Sequence, residues 1–128
     1  MGLENNNYSV IQIRLNDKEV YDNYRYNRIV DILKNIKNKN SDKKFLLISS
    51  DDIYINKIDI PLFLKTNLTR GHIGLNTTSL KECEDTMLEF MLMTSSSDII
   101  QLSVYKWGSG FSDIINALYD KPLIKYKI

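Results

Sequence analysis

The chain has 128 residues, a formal net charge of +1, one cysteine and one histidine. That length suits one domain with its own core, and the near-zero charge excludes a partner held mainly by electrostatics, such as nucleic acid or an anionic membrane. No apolar run approaches the ~18 residues that a membrane-spanning helix requires. Cys83 has no partner for an internal disulfide. Met1 is followed by Gly-Leu-Glu-Asn-Asn-Asn, which lacks the cationic start and apolar block of a secretory leader. A reducing, cytoplasmic setting is therefore expected.

Residues 1–7 are polar and Asn-rich, and a flexible start is expected there. The domain then runs over 8–128. Tyr8 to Arg14 is rich in β-formers and reads as a strand. Asn16 or Asp17 is expected to cap a helix that runs to about Lys37, with Tyr21, Tyr24 or Arg25, Ile29, Ile32, Leu33 and Ile36 on its buried side. Lys44 to Ser50 is apolar on both faces, as strands of parallel sheets are. Asp51 or Asp52 then suits the cap of a short helix carrying Ile53, Ile55 and Ile58. Pro61-Leu-Phe-Leu64 is ambiguous, and 66–77 reads as loop.

Ser79-x-x-Glu82 is a capping box, and it opens a strong helix. Leu80, Cys83, Met87, Leu88, Met91 and Leu92 are expected on its buried side. The helix ends in Thr94-Ser-Ser-Ser97. Ile99, Ile100 and Leu102 mark another strand. Gly108-Ser-Gly110 breaks it, Ser112 suits an N-cap, and Ile114, Ile115 and Leu118 keep helical spacing. Pro122 to Ile128 is a last strand, with the proline at a tolerated edge position.

Strands alternating with helices imply a parallel sheet covered on both faces, a three-layer Rossmann-like α/β fold. Ligands of such folds bind beyond the carboxyl ends of the strands. Three of those ends carry suggestive groups: Arg14 to Asp17, Ser49 to Asp52, and Ser103 to Ser112. They should converge on one rim. A guanidinium at Arg14 either grips a diphosphate or pairs with Asp17, Asp51 or Asp52. The 109–112 turn, at a helix N-terminus, suits an anion or is simply a tight connection. Glu89 lies opposite the apolar stripe of its helix and reads as a solvated carboxylate, as does Asp85. One cysteine and one histidine make a structural zinc site a poor fit, and no metal is expected. There is no Walker loop, dinucleotide-binding glycine fingerprint or nucleophile elbow.

Set in order, these stretches resemble the GDP-fucose-dependent fucosyltransferase superfamily, which includes the α1,2-, α1,6- and protein O-fucosyltransferases. Gln12-Ile-Arg14-Leu-Asn-Asp17 resembles its His-x-Arg-x-x-Asp strand-end motif. Phe45-Leu-Leu-Ile-Ser-Ser-Asp51-Asp52 resembles its second motif, a strand ending in Ser/Thr-Asp-Asp. Leu88-Glu89-Phe-Met-Leu-Met-Thr-Ser95, followed by Ile-Ile-Gln-Leu-Ser103 and Trp107-Gly-Ser-Gly-Phe-Ser112, resembles the third. The resemblance spans roughly residues 8–126.

It implies the nucleotide-sugar-binding, carboxyl-terminal lobe of an inverting, metal-independent GT-B glycosyltransferase. Arg14 would take the catalytic role, holding the β-phosphate in place of a metal ion. Ser109, Gly110, Phe111 and Ser112 would cradle the phosphates, and Glu89 would meet the nucleoside. Asp17, Asp51 and Asp52 would orient Arg14 or the donor. Gln12 stands where the family usually has His, so it is expected on the base or ribose. No cofactor is implied beyond a GDP-sugar donor substrate. A GT-B enzyme closes two lobes, and this chain has room for one. A missing amino-terminal acceptor lobe or a homodimer partner is therefore expected, with no sugar transfer by the chain alone. The competing reading is a non-catalytic αβ module that binds a nucleotide or another partner through the same rim.

Overall fold

A computed structural model describes residues 7–14, 22–40, 42–49, 57–58, 63–65, 79–104 and 110–128. Five strands form one sheet: β1 (Tyr8–Arg14), β2 (Lys44–Ser49), β3 (Phe63–Lys65), β4 (Asp98–Ser103) and β5 (Leu123–Lys127). Among the described residues three helices accompany them: α1 (Asn23–Lys39), α2 (Leu80–Thr94) and α3 (Gly110–Tyr119). The strand order is β3-β2-β1-β4-β5, and every pairing is parallel. The ambiguous segment after Pro61 thus contributes a three-residue strand beside β2.

The sheet separates two apolar layers, because successive side chains of a strand point to opposite faces. On one face Ile11, Ile13, Phe45, Leu47, Ile100 and Leu102 pack against Ile29, Leu33 and Ile36 of α1. On the other, Tyr8, Val10, Leu46, Ile48 and Ile99 pack against Met93 of α2 and Ile115 of α3. The three-layer α/β arrangement is the expected one.

The helices differ from expectation in detail. The N-cap of α1 is Asp22, whose carboxylate accepts from the Tyr24 amide at 2.9 Å; Asn16 and Asp17 lie outside the described residues. Tyr24 points out, 76% exposed, while Ile29, Leu33 and Ile36 are buried as expected. Helix α2 starts at its expected cap, Ser79, which accepts from the Glu82 amide. Its orientation, however, is rotated: Leu92 packs against the core as expected and Cys83 is half-buried, but most of the expected buried side is not. Asp85, Thr86, Glu89 and Met93 are the buried residues, and Leu80, Met87, Leu88 and Met91 are exposed. Helix α3 starts at Gly110, so Ser112 sits inside its first turn and not at the cap. Ile114 and Leu118 of this helix point outward.

Candidate functional site

The strand order reverses direction between β1 and β4, since β1 is followed on one side by β2 and β3 and on the other by β4 and β5. This is the topological switch point, where flanking connections diverge and leave a crevice beyond the strand carboxyl ends. Arg14 closes β1 and stands in register with Ser103, the last residue of β4. The Val104 amide donates to the Arg14 carbonyl at 3.2 Å, extending the ladder to the rim. Arg14 is partly exposed and Ser103 buried. By strand alternation both face the α2–α3 layer, two residues beyond Gln12 and Gln101.

Beneath this rim the core turns polar. Gln12 and Gln101 are direct neighbours across the β1–β4 ladder, 7% and 1% exposed. The buried Ser112 hydroxyl donates to Gln12 Oε1, tying α3 to β1. This bond explains why Ser112 lies inside the helix: its hydroxyl is spent on the strand, not on a cap. The Gln101 amide differs. Both its nitrogen and its oxygen are buried, with no hydrogen-bond partner among the described residues. Burying such a group unsatisfied costs about 1–3 kcal/mol, so a protein that keeps it there foregoes that stability.

Helix α2 adds to the same layer. Met93 packs with Val10 and Ile99. Strand and helix both climb about 6 Å over the next two strand residues or one helical turn. Glu89, 4% exposed, therefore stands level with Gln12 and Gln101. Asp85, a further turn up, stands level with the rim. Lys81 reaches across to Asp85 at 2.8 Å, and this pairing raises the Lys81 pKa. The expectation of solvated Glu89 and Asp85 is thus corrected: the rotated helix carries both inward.

The described part of the site brings together Gln12, Arg14, Glu89 and Ser112 on one face of the sheet at its switch point. Gly110 opens α3. The Phe111 side chain, Asp17, Asp51, Asp52 and Ser109 lie outside the described residues. Among the described residues no group of three His, Cys, Asp or Glu side chains could hold a metal ion. Nor is any helix among the described residues long and apolar enough to cross a membrane.

Gln101 is the residue that sequence reasoning missed. Its signal was a repetition: Ile-Gln-Ile in β1 and Ile-Gln-Leu in β4 each set one amide in a strand apolar on both faces. Parallel pairing then places the two amides side by side. No family model, curated protein or solved structure matches this chain.

Proposed function

We infer that the chain is a nucleoside-diphosphate-sugar-binding lobe, of the GDP-fucose-dependent, inverting and metal-independent kind, which transfers sugar only with a second lobe. The observation that carries this reading is Arg14 at the carboxyl end of β1, on the rim of the β1/β4 switch point, above the Gln12–Ser112 bridge. A guanidinium there matches a diphosphate by paired, charge-assisted hydrogen bonds.

The chemistry follows from charge. An acceptor hydroxyl attacks the anomeric carbon, the bond from that carbon to the β-phosphate oxygen breaks, and the electron pair leaves with the diphosphate. Arg14 stabilises that growing charge, the role a metal ion plays elsewhere. The amino end of α3 adds backbone N–H groups beside the same phosphates. The nucleoside would lie over the buried polar layer of Gln12, Gln101 and Glu89. The groups that bind and deprotonate the acceptor belong to the second lobe.

The test is calorimetric titration with GDP, GDP-fucose, UDP and ADP, with and without magnesium, on the wild type and on Arg14→Ala. The expected result is GDP binding that ignores magnesium and weakens at least about tenfold in the variant, as loss of a charged hydrogen bond of ~1.5–3 kcal/mol requires. Unchanged binding in Arg14→Ala, or no binding to any nucleotide, overturns the reading.

A further inference from the structure

Helix α2 packs on the sheet through Met93, with Phe90 and Leu92 against the same core, yet it also buries Asp85, Thr86 and Glu89 and leaves four large apolar side chains outside, more than a surface helix of a soluble domain usually shows. Leu80 is 75% exposed, Met91 60%, Met87 50% and Leu88 43%. Spacings of three, four and seven residues put them on one stripe. Helix α3 lies beside it and extends the stripe, with Leu118 71% exposed and Ile114 49%. The Phe90 and Tyr119 rings meet edge to face, with centroids 6.3 Å apart, and bridge the two helices. The apolar surface is therefore continuous.

Its composition is that of an interface centre. From Thr86 to Ser97 the only charged residue is Glu89, which is buried beneath the helix. From Ile114 to Tyr119 there is none. Lys81 and the Asp113–Lys125 pair flank the surface, and Glu84 stands on the stripe between Leu80 and Leu88, so the uncharged centre on α2 is Met87, Leu88 and Met91. A charge-depleted core rich in Met and Tyr with a charged rim distinguishes protein interfaces from ordinary surface.

We propose that this face binds a second copy of the chain, forming a two-fold dimer in which two α2–α3 pairs make a four-helix layer. Three observations select this occupant. Large side chains standing about half out of the protein present on the order of 700 Å², close to the ~800 Å² per partner of a standard interface. The centre of the patch has no charge pattern to select a differently charged protein. A flat pair of parallel helices is complementary to its own two-fold copy. The inference stands independently of the functional reading.

Sedimentation equilibrium between about 1 and 100 µM tests it. The wild type should sediment at twice the chain mass. Leu88→Lys on α2 and Leu118→Lys on α3 should each weaken dimerisation at least about 30-fold, the loss of one interface hot spot, with the far-ultraviolet circular dichroism unchanged. If one variant fails to fold, the other reads the same surface from a different helix, and Met91→Ser gives a milder third. A wild type that stays monomeric over the whole range overturns the proposal, including the case in which another protein covers the face. So does a dimer that survives Leu88→Lys and Leu118→Lys, because it must use a different surface.

Discussion

Gln101 carries a cost with no visible return within the fold. Its amide is 1% exposed and unsatisfied at both ends, in a strand whose neighbours Ile100 and Leu102 are buried and apolar. Selection for stability alone would replace it. Gln101→Met, which keeps the length and removes the amide, should therefore raise the unfolding free energy by about 1–2 kcal/mol in urea titrations. If Gln101 serves the nucleotide, the same variant should bind GDP at least about tenfold more weakly, the trade of stability for function expected at sites. A variant more stable and equal in affinity assigns Gln101 no part in the site. Gln12 differs, because its Oε1 already accepts from Ser112. Ser112→Ala leaves that buried oxygen without this donor and should destabilise by about 1–3 kcal/mol, read from the same urea transition.

Among the elements, α1 and α2 show what periodicity can and cannot decide. Ile29, Leu33 and Ile36 recur at helical spacing in α1, and they face the sheet as that spacing predicts. Its starting point was less legible, since Asn16, Asp17 and Asp22 are all competent caps, and the described helix uses Asp22. Asp22→Ala should cost about 1 kcal/mol of stability, because the Tyr24 amide loses its acceptor. Helix α2 has an equally clear apolar stripe, and it faces the wrong way. Periodicity finds a stripe but not its neighbour. The rule that the stripe faces the core assumes that the domain's own sheet is the only apolar surface within reach. Here Asp85, Thr86 and Glu89 are buried on the side of the sheet that carries Gln12 and Gln101, a polar pair that exists only because β1 lies beside β4. In α3, Ser112 was legible as a helix-start residue, but its tie to Gln12, a hundred residues away, leaves no local trace.

The whole molecule is a sheet with two chemically distinct ends. The alternation of strands and helices was enough to foresee the parallel sheet and the meeting of strand ends at one rim, and the order β3-β2-β1-β4-β5 sets Ser49, Arg14 and Ser103 on adjacent strands. The opposite, amino edge escaped notice, because Ser9, Lys43, Ser97 and Asp98 read individually as ordinary strand-end polar residues. Together they form a clamp. Asp98 Oδ1 accepts from the Ser9 hydroxyl of β1, from Lys43 Nζ, just before β2, at 3.0 Å and from the Ser97 hydroxyl at 2.8 Å. Burial pushes the carboxyl up, but the hydrogen bonds from Ser9, Lys43 and Ser97 and the Lys43 charge outweigh it, so the pKa falls below its usual value. A carboxylate with a depressed folded-state pKa stabilises the fold above its unfolded-state pKa, and that contribution is lost as pH falls through the folded-state value. Asp98→Asn should thus be less stable than wild type by about 1–3 kcal/mol at neutral pH, and the gap should narrow below about pH 4, measured by urea unfolding at a series of pH values. A gap that stays constant into acid would mean that the clamp works through shape and not through charge. Because the clamp lies at the far end of the sheet from Arg14, Asp98→Asn should leave GDP affinity where it was, while Arg14→Ala weakens binding with little change in the unfolding midpoint. Stability and ligand binding would then belong to opposite ends of one sheet, joined by β1, β2 and β4.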